Sequence, residues 1–169
     1  MNDIETNTGL LIRAAQEGDT HEVQRLIPLS TPQEQHSQAL LQAVRKQHVD
    51  CIKILIPVSN PKDYNDLFLE AVKVGYEPSI ELLMVVADPK FNDSEALFWS
   101  TEMRNSDIID MLIDVSDVNV VLRNLKKEYS ADESWAWECL EEILEARQQK
   151  EVLTTAVEET QTVFQKRKM

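Results

Sequence analysis

The stretch ILIPVSNPKDYN, residues 54 to 65, indicates how the whole chain is organised. Three apolar residues, typical of a helix that packs inward, are followed at once by Pro57. Proline ends a helix because it lacks the backbone N–H donor and its ring clashes with the preceding turn. Pro61 follows and favours an extended connection. The stretch therefore predicts the end of one helix and a return loop to the next.

Similar stretches occur at regular intervals along the chain. They are RLIPLSTPQEQHS (25–37), ELLMVVADPKFNDS (81–94) and DMLIDVSDVN (110–119). Pro28 and Pro57 are 29 residues apart, and Pro61 and Pro89 are 28 residues apart. Self-similarity at a fixed period of about 20 to 50 residues is the signature of proteins built from stacked repeats. The sequence thus predicts four copies of one helical unit.

Each predicted unit consists of two short helices joined by a turn. The first helices are expected at 10–18, 39–47, 67–75 and 96–104, and the second helices at 21–27, 49–56, 79–85 and 106–113. Small residues recur in the first helices at spacings of 29, 28 and 29: Ala14, Ala43, Ala71 and Ser100. Larger apolar residues share their face: Leu11, Leu40 or Leu41, Phe68 and Leu97. Small residues at these positions let a neighbouring helix approach closely.

Two sets of apolar residues recur in the second helices. One set is Val23, Ile52, Ile80 and Ile109, and the other, three positions further on, is Leu26, Leu55, Leu83 and Leu112. Residues three apart share one face of a helix, so both sets should point inward. Helices this short are marginal in isolation, and stacking the units would give them one continuous core.

The turn between the two helices carries a glycine in the first and third units. Gly18 and Gly75 occupy equivalent positions, where a helix that ends before a reversal commonly takes a left-handed conformation. Gln47 and Arg104 occupy the same position in the second and fourth units. We expect the left-handed conformation there too, at a cost of about 1 kcal/mol for each side chain.

With its small residue, turn glycine, Ile-x-x-Leu helix and LIPVSNPK loop, the unit resembles the ankyrin repeat. More narrowly, it resembles degenerate ankyrin-like repeats of bacterial, phage and giant-virus proteins, where histidine often follows the turn as His48 does here. The resemblance covers roughly residues 10 to 118 and implies a helical solenoid that binds protein. The period is 28 to 29 residues instead of 33, and the Thr-Pro-Leu-His opening is missing. We therefore expect short loops in place of projecting β-hairpins.

The predicted fold is all-α: an ankyrin-like helical repeat solenoid of about four helix-turn-helix units with a helical C-terminal cap. The repeats are assigned to residues 1–118 (about 10–38, 39–66, 67–95 and 96–118) and the cap to 119–169. The cap should begin with a short helix at 119–129, and Ser130 and Glu133 match a capping box for the next helix. Apolar residues of that end include Trp135, Cys139, Ile143, Val152 or Leu153, Ala156, Val163 and Phe164. Residues 165–169 are expected to fray.

Composition and charge narrow the classes of function. The chain has 169 residues, a hydrophobic content of 43% and a formal net charge of -13. This charge argues against sequence-independent binding to nucleic acid or to an anionic membrane, because both need clustered Lys and Arg. It favours a basic protein partner, or simply solubility. No stretch approaches the ~18 apolar residues of a membrane span, and no secretory signal is visible. The two cysteines form no disulfide pattern. We therefore expect a cytoplasmic location.

The sequence shows no motif for catalysis, metal binding or cofactor binding. The three histidines, His21, His36 and His48, lie outside nucleophile and metal motifs, and no glycine-rich phosphate loop occurs. An acidic group with spacings of three to four lies on and after the second helix of the fourth unit: Asp107, Asp110, Asp114 and Asp117. It suits a solvated helix face better than a divalent cation site, which would need a ligand loop with glycine. We expect no enzyme activity, catalytic residue, metal or cofactor.

The first helices of stacked pairs should line a concave face. The residues predicted to bind a partner there are Gln42, Arg45, Lys46, Glu70, Lys73, Tyr76, Trp99, Glu102 and Met103. Trp99 differs in kind from its aligned counterparts, because Arg13, Gln42 and Glu70 are all polar. An exposed Trp is a frequent hot spot of binding energy. The alternative is that Trp99 packs against the C-terminal cap.

A second candidate face is the segment from Asp132 to Glu145, which has six acidic residues, no basic residue and interleaved Trp135 and Trp137. It is either a surface for a basic partner or a solvated helix with its Trp residues in the core.

The function expected is a non-catalytic protein-binding module, and more narrowly a stoichiometric inhibitor or immunity protein that occludes a basic toxin or nucleic-acid enzyme. An acidic DNA mimic that blocks restriction or defence, and a scaffold or adaptor, remain as alternatives. The protein is expected to be a monomer.

Overall fold

The computed structural model describes residues 3–129 and 135–166, and that part of the chain is all-helical, without a β-strand. Its ten α-helices are α1 (Asp3–Glu17), α2 (Thr20–Leu26), α3 (Glu34–Arg45), α4 (Val49–Leu55), α5 (Tyr64–Val74), α6 (Glu77–Met84), α7 (Phe91–Glu102), α8 (Ser106–Leu112), α9 (Val118–Glu128) and α10 (Trp135–Lys166). The chain divides into two compact units, of which the first ends at Val121 and the second begins at Leu122.

Helices α1 to α8 form four consecutive pairs. Within each pair, α1 contacts α2, α3 contacts α4, α5 contacts α6 and α7 contacts α8. The first helices of successive pairs also contact one another, from α1 through α3 and α5 to α7, and α4 contacts both α2 and α6. Each short helix is therefore stabilised by its own partner, and α1 to α7 also by a neighbouring pair.

The predicted inward residues form the core of the first compact unit. The second-helix residues are fully buried: Val23, Ile52, Ile80, Ile109, Leu26, Leu55, Leu83 and Leu112. The first-helix set is also buried: Leu11, Leu40, Phe68, Leu97 and the small residues Ala14, Ala43, Ala71 and Ser100. The prediction of which residues are inward is confirmed, since the apolar period and the observed burial coincide in all four pairs.

The second helices end where the prolines predict. Helix α4 ends at Leu55, and a 3-10 turn containing Pro57 (Ile56–Val58) follows it. The Ser59 hydroxyl donates a 2.8 Å hydrogen bond to the Leu55 carbonyl, which satisfies an acceptor at the helix end. The first pair repeats this arrangement with Leu26, the turn Ile27–Leu29 and Ser30.

The first helices begin earlier than the apolar pattern indicates. Helix α3 begins at Glu34 instead of residue 39, and α7 begins at Phe91 instead of residue 96. The added turns carry buried polar residues, Thr8, Ser37 and Ser94, which contribute nothing to an apolar period. In α3 and α7 these added residues are not regular helix, because Ser37 and residues 92–94 have positive φ angles, so the regular helix begins close to the predicted positions.

These polar residues are part of a hydrogen bond that recurs in every pair. In each case a backbone N–H of the loop after the second helix donates to a side-chain oxygen 23 residues earlier, near the start of the first helix. The donors and acceptors are Thr31 to Thr8 (3.1 Å), Asn60 to Ser37 (2.9 Å), Asp88 to Asn65 (2.8 Å) and Asp117 to Ser94 (2.8 Å). The acceptors are spaced by 29, 28 and 29 residues, as are the small residues of the first helices. The bond closes each pair on itself.

The turns between paired helices have the predicted left-handed conformation at all four equivalent positions. The φ angles are 77° at Gly18, 62° at Gln47, 76° at Gly75 and 52° at Arg104. This confirms that the four turns are equivalent, although only two of them carry glycine. Left-handed residues that the sequence did not predict occur at Ser37 and at positions 92 to 94.

Glycine should be tolerated at the two turns that lack it. Glycine has no Cβ atom and so relieves the strain that a side chain causes at a positive φ angle. At such a position this gain outweighs the entropic cost of glycine, which is more flexible in the unfolded chain. We expect the free energy of unfolding of Gln47→Gly to stay unchanged or to rise by up to about 1 kcal/mol. That of Arg104→Gly should likewise not fall. Urea denaturation measures both. A loss of stability in both variants would contradict the equivalence of the turns.

The second compact unit consists of the end of α9 and the single long helix α10. Helix α9 coincides with the helix predicted at 119–129. The Tyr129 and Trp135 rings contact each other at an interplanar angle of 52°, with their centroids 5.7 Å apart, and Lys126 pairs with Glu141 at 2.6 Å. Leu140 is fully buried, whereas every side chain from residue 148 to 158 is exposed. The capping box at Ser130 and Glu133, the side chains of Val163 and Phe164, and residues 167–169 lie outside the described residues.

Candidate functional site

The predicted partner surface comprises the nine residues Gln42, Arg45, Lys46, Glu70, Lys73, Tyr76, Trp99, Glu102 and Met103. They lie on α3, α5 and α7 or directly after these helices, in the first compact unit. Arg45, Lys46, Lys73 and Met103 are exposed, and the other five are half-buried. Because α3, α5 and α7 contact one another in sequence, the fold brings these residues onto three neighbouring helices.

An ion pair joins α3 to α5 within this surface. The Arg45 Nε atom donates to the Glu70 Oε1 atom at 2.6 Å, across 25 residues of sequence. Both side chains keep substantial exposure, 48% for Arg45 and 27% for Glu70, so solvent screens the pair and its contribution to stability is small. The pair brings one basic and one acidic side chain together on this surface.

A cation–π contact joins α5 to α7 in the same surface. The Lys73 Nζ atom lies 4.5 Å from the centroid of the Trp99 ring. On the other side, the Trp99 Nε1–H group donates to the Glu95 Oε1 atom at 3.1 Å, and the Phe98 ring meets Trp99 edge to face at 6.2 Å. The Trp99 side chain is therefore held in one orientation by neighbours within the first compact unit and stays half-buried.

A held, partly exposed Trp is the type of residue that contributes most to protein interfaces. Its indole N–H is already bonded and its ring position is restrained, so little conformational entropy remains to be lost when a partner covers it. The contacts with Lys73 and Glu95 account for the orientation of Trp99.

The local charge of the predicted partner surface differs from the charge of the whole protein. Among its nine residues are three basic side chains, Arg45, Lys46 and Lys73, and two acidic ones, Glu70 and Glu102. The net charge of -13 therefore arises elsewhere. The whole-protein charge determines the long-range field that attracts a partner, whereas these five side chains determine the contacts made after encounter.

The remaining chemically active groups have structural surroundings. Cys51 is buried and lies 3.7 Å from the Thr20 hydroxyl, and burial raises the pKa of its thiol, which disfavours the nucleophilic thiolate. The His48 Nε2 atom lies 3.1 Å from the Gln16 carbonyl oxygen and links the second pair to the first. Within residues 3–129 and 135–166, no three His, Cys, Asp or Glu side chains are grouped so that they could hold a metal ion.

The acidic segment is only partly described. Asp132 and Glu133 lie outside the described residues, while Glu138, Glu142 and Glu145 are exposed on α10 and Glu141 pairs with Lys126. Trp135 and Trp137 are half-buried. None of the helices that the structure describes combines the length and the apolar character that a membrane span needs.

The sequence reasoning missed an apolar row on the loops that follow the second helices. One residue per pair contributes, at spacings of 29, 28 and 29: Leu29, Val58, Val86 and Val115. Leu29 is 46% exposed, Val86 38% and Val115 37%, and Val58 is half-buried beside a shallow groove that Ile27, Pro32 and Pro57 also line. The 28- to 29-residue period of the sequence carries this signal.

Comparison of the chain with protein-family models, with curated proteins and with solved structures finds no match. The function of the candidate site is therefore inferred from its geometry alone.

Proposed function

We propose that this protein is a non-catalytic protein-binding module whose partner docks on the predicted partner surface. The observation that carries the proposal is the contact network across three helices, in which Arg45 pairs with Glu70 and Lys73 covers the Trp99 ring. The network holds an aromatic anchor and mixed charges in fixed positions on an accessible face. Preorganised side chains of this kind lower the entropic cost of binding.

The proposed architecture is a short ankyrin-like solenoid. Four helix pairs stack in sequence order, the four turns share a left-handed residue, and each pair repeats the same loop-to-helix hydrogen bond. In repeat proteins the equivalent surface positions of successive units can vary freely while the inward positions stay alike. Here the aligned positions Arg13, Gln42, Glu70 and Trp99 differ in charge and size, as an irregular partner would require.

The partner is proposed to be a basic protein, and the narrower role is inhibition of a basic toxin or nucleic-acid enzyme by occlusion. The net charge of -13 would accelerate encounter with a basic molecule. We therefore expect the association rate to fall steeply as salt rises. A role as a DNA mimic is less well supported, because the predicted partner surface includes Arg45, Lys46 and Lys73. A scaffold or adaptor role would use the same surface.

Replacing the aromatic anchor should weaken binding strongly. We expect Trp99→Ala to raise the dissociation constant about 30-fold, equivalent to about 2 kcal/mol, mainly through faster dissociation. The measurement is affinity capture from the source organism with the wild-type protein, identification of the partner by mass spectrometry, and then surface plasmon resonance with both variants.

The matched control is Trp137→Ala, which removes a half-buried Trp from the second compact unit and not from the predicted partner surface. It should bind the captured partner like the wild-type protein. If Trp99→Ala also binds like the wild-type protein and is equally stable, the partner docks elsewhere. Turnover of a substrate by the purified protein would contradict the non-catalytic assignment.

A further inference from the structure

The four loops after the second helices carry apolar side chains that the proposed function does not use. One residue per pair recurs at the period of the repeat: Leu29, Val58, Val86 and Val115. Val85 stands beside them and is 84% exposed, the highest value of any large apolar side chain that the structure describes. These five residues form the loop row. Single exposed apolar residues are ordinary, but a row that recurs in every pair indicates a contact surface.

Contacts between successive loops join the loop row into one surface. Residues of the first and second loops, among them Pro32 and Val58, line one shallow groove. The third loop is hydrogen-bonded to Asn65 at the start of α5, which directly follows the second loop. The Lys90 Nζ atom of the third loop lies 3.2 Å from the Asp117 Oδ1 atom of the fourth. The loop row therefore runs across all four pairs.

The second helices beside the loop row differ in charge between the first two pairs and the last two. In the first two pairs, acidic and basic side chains of one helix neutralise each other: Glu22 lies 2.6 Å from Arg25, and Asp50 lies 3.4 Å from Lys53. In the last two pairs every charged residue of the second helix is acidic and exposed: Glu77, Glu81, Asp107 and Asp110. The loop row therefore has a neutral half and an acidic half.

The acidic half keeps like charges close together. Glu77 and Glu81 are four residues apart and Asp107 and Asp110 three apart, spacings at which like charges on a helix repel each other. Lys53, Glu81 and Asp110 share one position of the repeat, at spacings of 28 and 29 residues. None of the basic residues that the structure describes forms an ion pair with Glu77, Glu81 or Asp107. Cationic groups of a partner would relieve this repulsion.

We propose that the loop row binds a helix of a partner protein that is apolar on one side and rich in Lys and Arg. The apolar side packs on the loop row, and the cationic side chains lie beside α6 and α8. The acidic half disfavours nucleic acid and anionic membranes, because both are themselves negatively charged. None of these residues belongs to the predicted partner surface, so this binding does not depend on the proposed function.

The spacing of the loop row favours a helix over an extended strand. Packed neighbouring helices lie ~8 to 10 Å apart, and the loop row has one residue position per helix pair. Seven residues of a helix rise ~10.5 Å, so apolar residues at heptad spacing meet successive loops. Strand residues ~10 Å apart are three positions apart and point to opposite faces. A helix of about 20 residues, ~30 Å long, spans the row.

Fluorescence anisotropy with a labelled synthetic peptide tests the proposal on the full chain. The probe is a helix of about 21 residues with leucine at the first and fourth positions of each heptad and lysine and alanine elsewhere. The control peptide has the same composition in an order that spreads the leucines around the helix. We expect the probe to bind, and the control peptide to bind at least about tenfold more weakly, because its charge is equal but its apolar face is lost.

Paired serine variants test the apolar contacts. We expect V85S/V115S to raise the dissociation constant of the probe at least about tenfold, because both apolar side chains beside the acidic helices are lost. The matched control V152S/V157S makes the same changes at exposed positions on α10 and should bind the probe like the wild-type protein. Thermal melting of all variants should match the wild-type protein, because the four sites are exposed.

A charge variant tests the acidic half. Glu81→Lys gives α6 the residue type that α4 has at this position, and we expect it to weaken probe binding about tenfold at low salt and less at high salt. Glu128→Lys makes the same change in charge at an exposed position outside the loop row and should leave probe binding unchanged.

Four results would overturn the proposal. They are no binding of the probe, equal binding of both peptides, unchanged binding in V85S/V115S or Glu81→Lys, and loss of binding in Trp99→Ala. The last result would place the probe on the predicted partner surface. Because the peptide assay uses no captured partner, the proposal can fail while the proposed function stands, and the reverse.

Discussion

Truncation of Leu55 to alanine should lower the free energy of unfolding by about 2 to 5 kcal/mol. Leu55 lies in α4, which contacts both α2 and α6, and its side chain is fully buried. Removing three carbon atoms there opens a cavity between successive helix pairs that a close-packed core fills only in part. The change is large for a single domain, whose total stability is typically about 5 to 15 kcal/mol.

The repeat provides three further positions for the same measurement. Leu26, Leu83 and Leu112 are equally buried, and each should lose stability in the same range when changed to alanine. Val85, which is 84% exposed, is the control, and Val85→Ala should change stability by less than about 0.5 kcal/mol. Urea denaturation of the five variants decides the outcome. Losses below about 0.5 kcal/mol at all four leucines would contradict the assigned inward positions.

Substitution of Gly18 by glutamine should cost at least about 2 kcal/mol, more than the same change at Gly75. Both glycines have positive φ, so any side chain adds the strain of a left-handed residue, about 1 to 2 kcal/mol. At Gly18 a Cβ atom would also lie 2.7 Å from the Nδ1 atom of His48, whereas at Gly75 the nearest atom is 3.8 Å away, on Asn105. The difference between the stability losses at Gly18 and at Gly75 therefore measures the contact with His48.

A double-mutant cycle separates strain from contact. In a His48→Ala background the penalty of Gly18→Gln should fall to that of Gly75→Gln, because the ring that blocks the Cβ atom is gone. Gly9→Ala is the control for replacing a glycine in an ordinary helical position. Gly9 lies within α1 with nothing near its Cβ position, so alanine should raise stability by about 0.5 to 1 kcal/mol. An equal penalty at Gly18 in both backgrounds would mean that the neighbouring ring moves aside.

Local sequence determined the helix pairs, their ends and their inward residues. Apolar spacing in the second helices predicted residues such as Ile52 and Leu55, which are fully buried, and prolines predicted where those helices end. The turn positions were also predictable, because Gly18 and Gly75 identified a left-handed site that Gln47 and Arg104 share. These features depend on contacts within a few residues of the chain, and because the pattern is repeated four times it can be recognised in the sequence.

Only the tertiary structure decided which polar side chains are buried and which surface residues are paired. Ser37 is buried because the Asn60 N–H donates to it across 23 residues, and Arg45 finds Glu70 and Lys73 finds Trp99 only because α3, α5 and α7 pack side by side. Polar residues give no apolar period, and their partners lie 23 or more residues away along the chain, so local patterns cannot assign them. The exposure of Leu153 is likewise a property of the tertiary structure, which no spacing within the helix specifies.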